Sequence, residues 1–252
     1  WSSEVLSLVR NAYFWEVDTA GNQLPYIDYL QYRDFTQTDV AVMRAINGET
    51  DCQARHLGYD SYTVFKENEA AGDYTAQLWL RTSVTGIIFN STTKDPRLAE
   101  LFTPREFRIA ISLGINRDEM REMLLDGFGT NMQYCPPADS PYYYEKLAKA
   151  YIEYDPDRAN QMLDDLGYAQ RDADGYRLFK DGSGERIRFT SIGTNENMTN
   201  FDLMLVDYFK VLGMEMNYRG MDRALLQQLC QANEAEVLTK TVGRTLIPIA
   251  DT

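Results

Sequence analysis

The last third of the chain alternates strands with helices, and this alternation constrains the fold more than any other feature of the sequence. β-Branched and apolar runs at Arg186–Ile192, Met214–Tyr218 and Glu236–Val242 predict three strands. Between them, apolar residues recur at helical spacing over Thr199–Leu212 and Arg223–Ala232. Because strand, helix, strand, helix, strand is the order of βαβ units, the sequence predicts an α/β fold with a parallel sheet.

The first two thirds of the chain contain further helices and strands, many with recognisable ends. Helical spacing and end signals predict helices over Thr38–Ile46, Ser61–Ala70 and Pro104–Gly114, one that begins at the cap Asn116, and one at Asp155–Leu166. Strand composition predicts strands at Tyr26–Tyr32, Asp51–Ala54, Tyr74–Leu80 and Thr85–Phe89. The prolines and polar residues of Asn90–Pro96 and Gln133–Tyr144 predict loops.

The charge balance excludes several classes of partner. The 252 residues include 25 Lys and Arg against 38 Asp and Glu, a formal net charge of −13. A chain this acidic repels phosphate groups, so we expect neither nucleic acid nor anionic membranes as its main partner. Apolar runs such as Gly86–Phe89 are far shorter than the roughly 20 residues that a membrane-spanning helix needs.

The sequence offers little to support catalysis or metal binding. His56 is the single histidine, and the three cysteines are widely spaced without a CxxC pair. The acidic stretch Asp172–Gly175 lacks the first and last ligands of a calcium loop and is predicted to be a turn. We therefore predict no catalytic residue, metal ligand or cofactor. A hydrolytic enzyme on an α/β sheet, with His56 as general base, is the alternative from a different class.

Several segments, taken in order, resemble a known family. The residues Phe89–Pro96 (FNSTTKDP) and Phe107–Glu119 (FRIAISLGINRDE) look like a signature of the bacterial extracellular solute-binding proteins, family 5. The other matching segments are Asn22–Asp28 (NQLPYID), Ile46–Asp51 (INGETD) and Tyr154–Asn160 (YDPDRAN). The resemblance covers nearly the whole chain.

This resemblance implies a two-lobed clamshell of the type II periplasmic-binding-protein class, with only part of each lobe present. Members of the family are about twice as long, so the chain is expected to be an internal fragment. Residues 1–82 would be the late portion of the first lobe, residues 83–90 the crossover beside the hinge, and residues 91–252 the first portion of the second lobe.

The resemblance also implies a function. Family members are extracytoplasmic receptors, in the periplasm or lipid-anchored on the outer face of the membrane, that deliver a solute to the permease subunits of an ABC importer. An oligopeptide is the expected ligand, an oligosaccharide is the alternative within the family, and no cofactor is implied. A signalling or chaperone-like receptor with the same fold stays open.

Four residues are candidate ligand contacts. Peptide-binding members carry an aspartate soon after a tryptophan in the region that matches Thr241–Pro248, where it holds the peptide's ammonium group. Here Val242 stands in place of the tryptophan, and Arg244 or Thr245 stands near the aspartate position. A cation in place of a carboxylate disfavours capture of a free amino terminus. Ser83 and Thr85, beside the expected hinge, complete the set of candidate contacts: Ser83, Thr85, Arg244 and Thr245.

Overall fold

Nine α-helices and six strands are present in the computed structural model, which describes residues 5–53, 55, 57–78, 83–194 and 196–243. The helices are α1 Thr38–Ile46, α2 Tyr62–Gly72, α3 Pro96–Phe102, α4 Arg105–Leu113, α5 Arg117–Leu125, α6 Glu145–Ala148, α7 Pro156–Leu163, α8 Glu196–Val211 and α9 Arg223–Gln231. The strands are β1 Val5–Val9, β2 Tyr29–Arg33, β3 Ser83–Phe89, β4 Arg188–Thr194, β5 Glu215–Met221 and β6 Val237–Gly243. The chain divides into two compact units, Trp1–Leu78 and Trp79–Thr252.

The first unit contains an antiparallel pair of strands and two helices. β1 pairs with β2 with Val5 opposite Arg33 and Val9 opposite Tyr29. The side chains of Ala41 in α1 and Phe65 in α2 are buried. Most other apolar side chains of the described part of this unit are at least partly exposed, so its core is small.

The second unit is built on a four-stranded mixed sheet in the order β3–β6–β4–β5. β4 runs parallel to β5 and to β6, whereas β3 runs antiparallel to β6. Helix α8 connects β4 to β5, and α9 connects β5 to β6, so the predicted α/β fold with parallel βαβ units is confirmed. The sequence did not predict that the antiparallel strand β3 joins this sheet.

An aromatic core lies against one face of this sheet. Phe89 of β3 packs on Phe102 and Phe107 with ring centroids 5.1 and 5.2 Å apart. Phe189 of β4 packs edge-on against Phe209 of α8 at 5.2 Å. Edge-to-face aromatic contacts of this kind add to the stabilisation from buried apolar area, and they fix how the helices lie on the sheet.

Two predicted strands were wrong, and each belongs to the first unit. Residues 51–53 and 74–78 form no strand, while Ala54 and residues 79–80 lie outside the described residues. The second segment binds α2 instead, because the Tyr74 hydroxyl donates to the Phe65 carbonyl at 2.6 Å. The Ala76 amide likewise donates to the Glu69 carboxylate at 2.7 Å. The second bond satisfies a backbone amide of the segment that would otherwise need a partner such as a neighbouring strand.

Two helices, α3 and the four-residue α6, were missed. The sequence predicted a loop up to Pro96, but α3 begins there, with Asp95 as its N-cap. The Asp95 carboxylate accepts a hydrogen bond from the Arg97 amide at 2.9 Å, and Pro96 occupies the first helical position. Asp followed by Pro is a start signal for a helix, the same signal that correctly predicted α7 at Asp155–Pro156.

Candidate ligand-binding edge of the sheet

The carboxyl ends of β4, β5 and β6 meet at one edge of the sheet, together with the amino end of β3. Backbone register places Ser83 opposite Gly243 and Thr85 opposite Thr241. The hydroxyl oxygens of Thr85 and Thr241 are 3.5 Å apart, and both side chains are accessible. In α/β sheets, ligands bind beyond the carboxyl ends of the parallel strands, so we take this edge as the candidate site.

The structure locates the predicted contacts only in part. Thr85 lies at the candidate edge, and the backbone of Ser83 lies beside it at the start of β3. The Ser83 side chain, and the whole of Arg244 and Thr245, are outside the described residues. His56, the base of the alternative enzyme hypothesis, is also outside them.

Beneath the edge, on the face of the sheet covered by α8, lies a group of polar side chains that we call the acid–hydroxyl cluster: Ser191, Asp202, Tyr218 and Thr239. Asp202 and Ser191 are fully buried, and Thr239 is 2% exposed. Register puts Ser191 of β4 opposite Tyr218 of β5. Asp202 comes from the second turn of α8, so one helix and three strands supply the cluster.

Two glycines make room for the Tyr218 side chain. Gly193 lies opposite both Gly220 and Thr239 in the sheet. A Cβ atom at Gly193 would lie 2.8 Å from the Thr239 hydroxyl oxygen and 3.2 Å from the Tyr218 hydroxyl. A Cβ atom at Gly220 would also lie 3.2 Å from that phenolic oxygen. Because neither glycine carries a side chain, the Tyr218 side chain fits beside them. The hydroxyls of Tyr218 and Thr239 therefore approach the backbone of β4 closely.

Burial dominates the electrostatics of Asp202. It raises the pKa of the carboxyl group to about 6, because the charged form loses its hydration. The hydroxyls of Thr239 and Tyr218 face the carboxylate and lower the pKa, but by less than burial raises it. Within the part of the chain that the structure describes, neither carboxylate oxygen has a hydrogen-bond partner of good geometry. The two hydroxyls therefore stabilise the charge only in part.

Sequence reasoning missed Asp202, although a signal was present. The prediction of a helix over Thr199–Leu212 used its apolar residues and did not consider the acid between them. Asp202 precedes Leu205, Phe209 and Leu212 at spacings of three, seven and ten residues, and all four side chains are buried. An aspartate on the apolar stripe of a helix identifies a buried carboxylate, and such groups are concentrated at functional sites.

A charged cleft of about 520 Å³ lies at the opposite edge of the sheet, near the amino ends of β4 and β6. Its arginines are paired with carboxylates of the same cleft or its surroundings. Arg97 contacts Asp95 at 3.0 Å and Glu185 at 2.6 Å, and Arg188 contacts Glu215 at 2.8 Å. Because these charges are mutually satisfied, we interpret the cleft as a structural ion-pair network.

In the described part of the chain, no group of three or more His, Cys, Asp or Glu side chains is arranged to hold a metal ion. In the same residues, no helix combines the length and hydropathy that a bilayer crossing requires.

Comparison with known proteins places this fold. A curated relative, the periplasmic alpha-galactoside-binding protein of Rhizobium meliloti (strain 1021), is 26% identical over 234 residues, which cover 87% of this chain and 33% of that protein. A solved structure of the oligopeptide-binding protein OppA is 35% identical with a TM-score of 0.69, covering 96% of this chain and 39% of that one. The periplasmic binding protein MelB from Agrobacterium fabrum C58, in complex with stachyose, has a TM-score of 0.77 at 20% identity, covering 96% of this chain and 38% of its own.

These structures confirm the predicted fold class, part of a periplasmic-binding-protein fold. The chain spans about a third of the length of the curated relatives it matches. The family profile described as "Bacterial extracellular solute-binding proteins, family 5 Middle" matches residues 1–243. The chain therefore belongs to the bacterial extracellular solute-binding proteins, family 5.

Proposed function

We propose that the protein containing this chain is an extracytoplasmic receptor that captures an oligopeptide and delivers it to the permease subunits of an ABC importer. The observation that carries the choice of ligand is the 35% identity, over 96% of this chain, to an oligopeptide-binding protein. The accessible hydroxyls of Thr85 and Thr241 at the carboxyl edge suit the amide and carbonyl groups of a peptide backbone.

The proposal includes the arrangement of the chain in the whole receptor. Residues 1–82 form the late portion of the first lobe, residues 83–90 the crossover beside the hinge, and residues 91–252 the first portion of the second lobe. The separation of the chain into the units Trp1–Leu78 and Trp79–Thr252 supports a boundary in this region. Ser83, Thr85, Arg244 and Thr245 are the proposed ligand contacts of this portion.

An oligosaccharide is the second candidate ligand. The 26% identity to an alpha-galactoside-binding protein favours it, over a similar share of the chain. Neutral hydroxyl groups at the edge also suit a sugar, because each can both donate and accept hydrogen bonds. The two candidates differ in charge, since a free peptide carries terminal charges and a neutral sugar carries none.

Mass spectrometry of the small molecules that co-purify with the full-length protein, released by denaturation, tests the proposal. Short peptides would support the oligopeptide receptor, whereas hexose oligomers would establish the second candidate. If nothing co-purifies, equilibrium dialysis against a pool of nonapeptides and against stachyose replaces this measurement. Failure to bind either probe would contradict the proposal.

The candidate edge has its own test. We expect Thr85→Val to weaken binding of the ligand found in that experiment about three- to tenfold, because it removes one hydrogen-bonding hydroxyl. Thr130→Val, which changes an exposed threonine outside the edge, is the matched control and should leave the affinity unchanged. Equal affinities of the two variants would show that the ligand does not use this edge.

A further inference from the structure

Asp202 is a buried acid in a place where an ionised carboxylate is poorly accommodated. Its side chain is fully buried, and among the described residues neither of its oxygens has a hydrogen-bond partner of good geometry. Leaving a carboxylate charged in such surroundings costs far more than leaving a neutral acid there. Asp202 lies beneath the candidate binding edge, in the acid–hydroxyl cluster.

The described groups that face the carboxyl are neutral. It faces the Tyr218 hydroxyl, which comes from β5, and the Thr239 hydroxyl, which comes from β6. Both hydroxyls lower the pKa of the Asp202 carboxyl group. The nearest acid along α8 is Asp207, whose side chain is exposed. From α5, which also packs on α8, the Glu119 carboxylate accepts a hydrogen bond from the Tyr208 hydroxyl at 2.8 Å. Among the described residues, no cation compensates a charge on Asp202.

We propose that Asp202 is a positioning residue of the candidate binding edge and that it acts as the neutral acid. A carboxylic acid can donate its proton to one hydroxyl of the cluster and accept a hydrogen bond from the other. It thereby holds Tyr218 and Thr239 against the start of α8 and keeps the end of β6, with Thr241, in place. The ionised form cannot donate, and its buried charge favours entry of water and loosening of the same contacts.

The consequence is a coupling between protons and ligand affinity. This step rests on the proposed receptor function, since it requires that the ligand binds at the carboxyl edge. If the neutral acid orders the edge, ligand binding favours the protonated form, and affinity falls as rising pH ionises Asp202. Because the pKa of Asp202 is raised to about 6, this change in affinity falls at a pH where binding can be measured.

The test compares variants of the full-length receptor at pH 5 and pH 8 by calorimetric titration with a nonapeptide pool and, separately, with stachyose. We expect the wild-type affinity for the probe that binds to fall about tenfold or more between these values. Asp202→Asn, which stays neutral but keeps hydrogen-bonding groups, should retain the pH 5 affinity at both values. Asp202→Ala should bind weakly at both pH values. The affinity that the alanine variant loses is then kept by the asparagine variant.

Asp207→Asn is the matched control, because it removes an exposed acid from the same helix. This variant should show the wild-type dependence of affinity on pH. Because every variant is measured with the same probe, any effect of the probe's own titration cancels in the comparison. An equal pH profile in the wild type and Asp202→Asn would overturn the inference and leave the receptor function intact.

If neither probe binds at any pH, the proposed function fails, and NMR of the same protein decides the inference. A carboxyl ¹³C titration of Asp202 with a midpoint near pH 6 would support the neutral acid. A midpoint near the ordinary value of 3.8 would overturn it.

Discussion

At the scale of single residues, the buried ionisable side chains of Arg177 and Asp202 are accommodated in opposite ways. Arg177 is fully buried, and its guanidinium donates to the Leu212 carbonyl at 2.8 Å, to both oxygens of Asn160, and to Asp164 and Tyr168. Burial lowers the pKa of Arg177, and Asp164 opposes that effect. In the described residues, Asp202 has no comparable set of partners, so burial favours its protonated form.

Arg177→Met should be strongly destabilising. It leaves several buried carbonyl oxygens without donors, and we expect the free energy of unfolding to fall by about 3–5 kcal/mol. Chemical denaturation followed by circular dichroism measures the change. Arg219→Met, at an exposed position of β5, is the control and should change the stability by less than about 0.5 kcal/mol. Equal effects of the two variants would contradict this account of Arg177.

Asp202 should also make the stability of the protein depend on pH. Its pKa in the folded protein, about 6, lies above the ordinary 3.8, so folding favours the protonated form. The resulting stability is complete below about pH 4 and is lost as pH rises through 6, amounting to about 3 kcal/mol at most. Denaturation at pH 4, 6 and 8 should show this loss in the wild type relative to Asp202→Asn. Parallel curves for the two proteins would contradict the raised pKa.

At the scale of the elements, local signals predicted most helices because their caps are local. The Asn116 side chain accepts from the Glu119 amide at 3.2 Å, as its position before α5 predicted. The Glu119 carboxylate accepts a hydrogen bond from the Tyr208 hydroxyl of α8 at 2.8 Å. The cap could therefore be predicted from neighbouring residues. The partner of Glu119 could not, because it lies on a helix about 90 residues further along the chain.

The junction between α4 and α8 is tight enough to test by adding one methyl group. A Cβ atom at Gly114 would lie 2.5 Å from Leu212 Cδ1, although the backbone φ of −78° there suits any residue. We expect Gly114→Ala to lower the free energy of unfolding by about 1–3 kcal/mol through overpacking. Gly86→Ala in β3 is the control, since nothing lies within 4 Å of its Cβ position. Thermal denaturation compares the stability of the two variants. A Gly114→Ala variant as stable as the wild type would show that the junction relaxes to accept the extra methyl group.

At the scale of the whole molecule, the apolar core is unevenly distributed. The main cluster of buried side chains extends from Leu98 to Val237, entirely within the second unit. In the described part of the first unit, the buried apolar side chains are Ala41 and Phe65. Because cooperative stability follows buried apolar area, the two units should differ in resistance to local opening.

Hydrogen exchange of the 252-residue chain, followed by mass spectrometry, measures this difference. Peptides covering α1 and α2 should exchange at least about tenfold faster than peptides covering α4 and α8, which contact the main core. Protection of equal size in both sets would mean that the first unit is stabilised by contacts other than its own buried side chains.

The α/β class, most helix positions, the βαβ order of the last third and the family could all be predicted from the sequence, because they depend on local periodicity, caps and ordered motifs. Three features are seen only in the folded protein: β3 joins the sheet beside β6, residues 74–78 bind α2, and Asp202 meets Tyr218 and Thr239 beneath the candidate edge. These pairings join residues up to about 160 positions apart. Which distant groups meet depends on the packing of the whole unit, and no local pattern encodes it.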